Sequence, residues 1–206
     1  MTRFITTNQN INKYLCKKDI VFINIINVCK SVEIELSENY FVSLVKSIIG
    51  QQLSNKVANV IYNRLYVLCN KNILLKTILK LPIDDLREIG ISYSKISYIK
   101  NLADAVVSKK VIFDDIENMK NDDIIKMLTS VKGIGPWTSE MFLIFVLGRE
   151  DVFSYGDGGL QRAITTMYNI DYKLTKKLLI EISNAWKPYR TYASLYLWDL
   201  INKNII

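Results

Sequence analysis

Residues 131–145 read VKGIGPWTSEMFLIF. Gly133 and Gly135 flank Ile134, then come Pro136, Trp137 and an apolar run. Glycine lets the backbone take positive φ and approach a ligand with no Cβ in the way. Proline fits the first turn of a helix, where its missing N–H is not needed. The stretch therefore predicts a helix ending near Thr129, a tight turn, and a second helix from Pro136 to Gly148. Ile134 can plug into the core and fix the turn. The N-terminus of the second helix presents N–H groups suited to an anion. Such a hairpin holds phosphate through its backbone and reads no base edge. An ordinary αα-turn uses the same residue types, so the turn alone leaves both readings open.

Helical periodicity continues on both sides. Phe41, Leu44, Val45, Ile48 and Ile49 form one stripe. Ser54 is placed to cap a helix over 55–69 whose inner face carries Val57, Val60, Ile61, Leu65 and Leu68. Pro82 opens a short helix that stops at Gly90. A helix over 94–107 carries Ile96, Ile99, Leu102, Ala103 and Val106 on one face. Asn121 or Asp122 is the expected cap of the helix ending at Thr129. Further helices are predicted over 160–168, 175–185 and 189–202. No alternating strand stands out beyond an ambiguous Val111–Phe113. The fold expected is all-α, with the short connections of packed helices.

The 206 residues, half of them hydrophobic, suffice for one large domain or two small lobes. Lys and Arg number 27 against 20 Asp and Glu, a net charge of +7 that favours anionic partners, nucleic acid first. A biased genome rich in Lys, Asn and Ile produces the same surplus. Histidine is absent, which removes Ser-His and Cys-His nucleophile schemes and the commonest metal ligand. The three cysteines, Cys16, Cys29 and Cys69, cannot ligate a four-cysteine iron–sulfur cluster and read as buried thiols of a reducing compartment. No stretch is long and apolar enough for a membrane span, and no signal peptide is apparent, so a cytoplasmic protein with no membrane partner is expected. The acid pairs Asp84-Asp85, Asp114-Asp115 and Asp122-Asp123 each fall at a predicted helix start, where the helix dipole favours them over a metal role.

The segment LTSVKGIGPWTSEMFLIFVLGREDVFSYGDGGLQRA, residues 128–163, resembles the signature of the helix-hairpin-helix (HhH-GPD) base-excision DNA glycosylases. Within that superfamily it is most similar to the 3-methyladenine DNA glycosylase II branch. LVKSIIGQQLSNKVA (44–58), LREIGISYSKISYIKNLADAV (86–106) and WKPYRTYASLYLW (186–198) agree in order and spacing. Residues 1–38 carry no recognised motif. The resemblance implies two helical lobes, one of about 1–39 plus 149–206 and one of about 40–148. The helix-hairpin-helix would lie at about 121–148, with the active-site cleft between the lobes. It also implies that the N-terminal β-rich domain of larger members is missing.

The same resemblance assigns roles. Asp157 matches the catalytic aspartate, whereas Asp151 is the wrong acid for the motif. Trp137 stands where relatives that also cut the backbone carry a Schiff-base lysine, which implies hydrolysis without lyase chemistry. Lys132 lies before the turn and is not that lysine. Trp137, Trp198 and Tyr155 are the implied lining of the base pocket. Gln52 matches the residue that wedges into the duplex, with Gln51 as the alternative. Lys132, Gly133, Ile134, Gly135, Trp137 and Thr138 match the DNA-backbone grip. Backbone carbonyls of Thr129, Val131 and Ile134 match a monovalent cation site for Na+ or K+. No cofactor is required by this scheme, and no iron–sulfur cluster is expected.

The activity implied is excision of alkylated purines of the 3-methyladenine class from double-stranded DNA, leaving an abasic site, by a monomer. A single fixed carboxylate can stabilise the oxocarbenium-like charge that develops as an N-glycosidic bond breaks, and the target base must be flipped out of the stack to reach it. A glycosylase for another damaged base and a non-catalytic DNA-binding module remain as rivals. In the bland reading, Asp157 is a helix cap, Trp137 and Trp198 fill the core, and Gln52 is a loop residue.

Overall fold

The computed structural model describes residues 3–37 and 39–206. Twelve α-helices and a two-stranded sheet are present among them. The chain divides into two compact units, Met1–Ser37 with Leu143–Ile206, and Glu38–Phe142. The sequence reading set these boundaries at 39 and 148. The later division falls inside the second hairpin helix, because Phe145 packs on the core of the first unit.

In the first unit, strand β1 (Arg3–Thr6) pairs antiparallel with β2 (Glu33–Leu36), with Arg3 opposite Leu36 and Thr6 opposite Glu33. Between them lie α1 (Gln9–Lys18) and α2 (Val21–Cys29). These elements correct the strand-free expectation. Each strand has four residues and neither buries alternate positions cleanly, so no period-2 pattern is legible. Val111–Phe113, the one ambiguous candidate, is irregular chain.

The C-terminal half of this unit supplies α10 (Gly158–Met167), α11 (Lys176–Asn184) and α12 (Arg190–Asn202). Helix α12 is buried almost all round and packs against both α2 and α10. Trp186, fully buried, meets the rings of Phe22 and Phe153 edge-on at centroid distances of 5.5 and 5.6 Å. Its indole N–H donates to Asp19 Oδ2 at 2.8 Å, and the Tyr168 hydroxyl donates to the same oxygen. Burial and the Asp19 carboxylate push the Tyr168 phenol well above its ordinary pKa. The buried Tyr196 hydroxyl donates to Asn12 Oδ1 at 2.8 Å and lies 3.1 Å from the Thr7 hydroxyl, tying α12 to the start of the chain.

The second unit contains α3 (Tyr40–Gly50), α4 (Asn55–Leu68), α5 (Leu75–Lys80), α6 (Ile83–Glu88), α7 (Tyr93–Val107), a 3-10 turn at Ile116–Asn118, and α8 (Asn121–Thr129). Helix α9 (Pro136–Phe145) follows the hairpin turn and stops short of the expected Gly148. Helix α7 is the hub, packed against α3, α5 and α6 through Ile96, Ile99, Leu102 and Ala103. Two lysines on α7 close other helices. Lys95 Nζ donates to the carbonyls of Ile49 (2.8 Å) and Gln51 (2.7 Å) at the end of α3. Lys100 Nζ donates to Leu81 O (2.8 Å) and Leu79 O (3.4 Å) at the end of α5. Such contacts satisfy terminal carbonyls and complement the negative end of the helix dipole. Burial lowers the Lys95 pKa.

Three local expectations are corrected. Val57 and Val60 are each 45% exposed rather than inward, because α4 packs on α3 through Leu65 and the following Cys69. Neither Asn121 nor Asp122 caps α8. Lys120 holds the cap position with no side-chain bond, and Asp122 and Asp123 occupy the first turn. The 94–107 helix begins one residue earlier, with Ser92 as its cap, accepting from Lys95 N.

The hairpin turn is tight. Gly133 has φ +101°, and a Cβ there would lie 2.1 Å from Tyr98 Cγ. Ile134 is 4% exposed, and its N–H donates to Val131 O at 3.1 Å. A Cβ on Gly135 would meet nothing within 4 Å. Gln51 Nε2 donates to Gly133 O at 2.8 Å, tying the end of α3 to the turn.

Gly133→Ala should cost about 3 kcal/mol or more from overpacking and left-handed strain, whereas Gly135→Ala should leave the urea midpoint nearly unchanged. Tyr196→Phe should cost about 1 kcal/mol in the same unfolding experiment, because it removes the hydrogen bond from a fully buried ring to Asn12 Oδ1 while Thr7 keeps its bonds to Val32.

Candidate active site

The first unit fixes the segment leading to Asp157 through the N-terminus of α12. Arg190 grips Asp151 with two parallel bonds, Nε to Oδ1 at 2.6 Å and Nη2 to Oδ2 at 3.0 Å. Burial works against the Arg190 charge, the Asp151 carboxylate outweighs it, and the guanidinium pKa is raised. Thr191 N donates to Glu150 O at 2.9 Å, its hydroxyl donates to Arg149 O at 2.6 Å, and Val152 N donates to that hydroxyl at 3.1 Å. The Tyr192 hydroxyl donates to Glu150 Oε1 at 2.8 Å. Four consecutive residues, 149–152, are thus held by three at the start of α12. Asp151 is fully engaged in this clamp.

From there Phe153 and Ser154 are buried, and Asp157 N donates to Ser154 O at 3.2 Å as the chain turns. Asp157 is the N-cap of α10. Its Oδ1 accepts from Leu160 N at 2.8 Å and from the Trp198 indole N–H at 3.1 Å. Asp157 is 9% exposed. A helix N-terminus and an indole therefore aim one carboxylate, as preorganised electrostatic sites require. Trp198, half-buried, tilts over Phe145 at 5.7 Å between centroids. The structure brings Asp157 and Trp198 into direct contact. Tyr155 is held differently. Its carbonyl accepts from Gln161 Nε2 at 2.7 Å, its ring meets Phe153 edge-on at 5.0 Å, and its hydroxyl lies 3.4 Å from Arg190 Nη1 and 3.5 Å from Ser183 Oγ.

The second unit holds the remaining sequence-predicted residues. Lys132 is exposed at the hairpin, and Trp137, in the first turn of α9, is 44% exposed, too open for simple core filling. Thr138 is buried, so any ligand contact there runs through its backbone. Ser139 N and Oγ both donate to Gly135 O at 3.1 Å, closing the first turn of α9. Gln51 is engaged with the turn, as described above, while Gln52 is exposed at φ +58°. A non-glycine residue there adopts the left-handed region at some cost. Of the cation-site candidates, Thr129 ends α8 and the Val131 carbonyl accepts from Ile134 N.

The clamp residues Arg190, Thr191 and Tyr192 were missed in the sequence. The matched segment WKPYRTYASLYLW contained them, but nothing in their spacing marks a tie to residues 149–152. Within this protein, the available signal was an acid-rich GREDV turn facing a helix that opens with arginine.

The family model described as HhH-GPD superfamily base excision DNA repair protein matches residues 45–188. DNA-3-methyladenine glycosylase 1 of Schizosaccharomyces pombe is 33% identical over 158 residues, 75% of this chain and 69% of that protein. The putative DNA-3-methyladenine glycosylase YfjP of Bacillus subtilis is 37% identical over 126 residues, 61% of this chain. The match spans 44% of that relative's length. A crystal structure of a DNA-3-methyladenine glycosidase from Bacillus halodurans superposes with a TM-score of 0.87 at 37% identity, covering 98% of this chain and 94% of that one. The S. pombe 3-methyladenine DNA glycosylase in complex with abasic DNA gives 0.82 at 27% identity, covering 94% and 97%. With the family model matching well over half its length, the chain belongs to the HhH-GPD superfamily of base-excision DNA repair proteins.

Proposed function

We propose that this protein is a monofunctional DNA glycosylase that flips alkylated purines of the 3-methyladenine class out of duplex DNA and hydrolyses their N-glycosidic bond. The observation that carries this reading is the Asp157 carboxylate, aimed by the N-terminus of α10 and the Trp198 indole. Relatives named as 3-methyladenine glycosylases, among them one solved with abasic DNA, support the substrate and the product.

The chemistry needs few groups. As the bond to the purine breaks, positive charge builds on the sugar, and one fixed carboxylate stabilises it. An alkylated purine is already cationic and leaves as a neutral base with little help from an acid. Water then adds to the sugar carbon and loses a proton, giving the abasic site. Histidine is not needed at any step.

The hairpin would hold one phosphate of the damaged strand through the backbone around Gly133, Gly135 and Thr138, with Lys132 adding charge. The open space at Gly135 favours close approach by a phosphate. Carbonyl oxygens of Thr129, Val131 and Ile134 would supply the hard-oxygen donors suited to Na+ or K+ beside that phosphate. Gln52 is the better wedge candidate, because Gln51 is occupied by Gly133 O and Gln52 is exposed. Trp137 cannot form an imine, so no strand cleavage accompanies base release.

The test is base release from methylated duplex DNA, read by chromatography. Wild type should free 3-methyladenine, and Asp157→Asn should lose at least about a hundredfold in turnover, the scale of losing a main electrostatic stabiliser, while DNA binding holds. Full turnover in Asp157→Asn would move the catalytic role elsewhere. No release by wild type would point to another lesion or to a binding module, separated by a panel of single-lesion duplexes. Borohydride should trap no covalent protein–DNA adduct; a trapped imine would refute the hydrolytic assignment.

A further inference from the structure

The turn after α3 is strained, and it is held from outside. Leu53 N donates to Gly50 O at 3.1 Å, closing a four-residue turn over 50–53. Gln51 has φ −52° and ψ 126°, and Gln52 has φ +58°. These are the angles of a type II turn, whose third residue takes positive φ and is ordinarily glycine. In a type I turn the third residue has φ of about −90°, a region open to glutamine. The two forms differ in which way the central peptide faces, here the one joining Gln51 to Gln52. The residues of the turn therefore favour type I, and type II needs a partner that selects it.

Lys95 is that partner. Its Nζ donates to Gln51 O, the carbonyl of the central peptide, at 2.7 Å, and to Ile49 O at 2.8 Å. Turning the peptide over would carry Gln51 O away from the ammonium. A charged donor bonds more strongly than a neutral one, so the grip can offset the strain of one left-handed residue. The Gln51 side chain fixes the turn from the other side, through its bond to Gly133 O at 2.8 Å. Tyr98 lies three residues beyond Lys95, on the same face of α7. It fills the space against Gly133, where a Cβ would lie 2.1 Å from its Cγ. One face of α7 thus supports both the 50–53 turn and the hairpin turn. Gln52, at the tip of the first, is exposed. Strained residues persist where the surroundings over-determine them, and they gather at sites that contact ligands.

We propose that Lys95 is a positioning residue for DNA distortion: by gripping Gln51 O it holds the 50–53 turn in its type II form and keeps Gln52 set to enter the duplex. Gln51 ties the same turn to the hairpin. A phosphate held at the hairpin and a side chain entering the base stack then belong to one rigid frame, and capture of the backbone and opening of the stack occur together. Lys95 acts through the main chain and spends its charge there. The proposal rests on the glycosylase reading above and deepens it.

The probe is a duplex with a tetrahydrofuran abasic analogue and 2-aminopurine as its neighbour, whose fluorescence rises when it unstacks. The full chain is titrated onto it, with binding followed by anisotropy and base release from methylated duplex measured on the same preparations. Wild type should brighten the probe at saturation. Lys95→Met and Gln51→Leu should each lower the unstacked-to-stacked ratio at saturation about fivefold, the scale of one hydrogen bond, with a smaller loss of affinity. In a Gln52→Ala background Lys95→Met should change the probe no further, because Lys95 acts through Gln52. It should also leave the salt dependence of binding unmoved. Should Lys95→Met fail to fold in urea titration, Lys95→Gln, with a shorter neutral amide, carries the same predictions. A probe that wild type leaves dark overturns the proposal. So does brightening unmoved by the Lys95 variant, or a further loss in the Gln52→Ala background. A salt slope shallower by about one would make Lys95 a phosphate ligand and overturn it too. Brightening that depends on Lys95, without base release by wild type, would leave the positioning role standing and overturn the glycosylase reading alone.

Discussion

The clamp between the N-terminus of α12 and residues 149–152 is the constraint on which the rest of the first unit depends. Arg190, Thr191 and Tyr192 together engage the carboxylate of Asp151, five backbone groups of residues 149–152 and the Glu150 side chain. The segment beyond would otherwise be a loop with few bonds of its own. Because α12 also carries Trp198, one rigid helix sets both the approach of the loop and the indole that receives Asp157. Orientation of that carboxylate is therefore a property of α12 more than of the loop. The ion pair is partly exposed, so its value is positional rather than a large share of stability.

Asp157 shows why structural and chemical readings of a residue need not compete. As an N-cap it satisfies the Leu160 N–H, a contribution typical of any helix start. The same bond, with the Trp198 indole, holds the carboxylate in one orientation at the edge of solvent. The cap bond and the indole N–H orient the acid through donors that carry no formal charge. The hairpin applies the complementary device, with backbone groups in place of side chains: Gly133 allows the turn and Gly135 leaves its outer surface open.

Much of this was legible in the sequence, and the failures have physical causes. The hairpin read correctly because glycine and proline punctuate it and Ile134 alternates between them. The stripes of α3 and α7 read correctly because they face a continuous core. Val57 and Val60 misled because an apolar stripe records what a helix could bury, and α4 is covered on one side only. Helices α1 and α2 carried readable signals, Asn8 as a cap with Ile11 and Leu15 buried, and Phe22, Ile25 and Cys29 at helical spacing. The run VFINIINVC, rich in β-branched residues, fits a buried strand as well as a helix. The β1–β2 pair and the α12 clamp depend on partners far along the chain, and local periodicity carries no record of such pairings.

The lysines of α7 bear on how the protein's charge should be counted. Lys95 and Lys100 direct their ammonium groups at main-chain carbonyls within the second unit. Ammonium groups committed to carbonyls are not available to neutralise phosphates. The formal surplus of +7 therefore overstates how many phosphates of the proposed DNA partner the protein can neutralise, and with them how many cations leave the DNA, so the ionic-strength dependence of affinity should be shallower than a census of lysines suggests. A basic isoelectric point here is partly a record of how helices were ended.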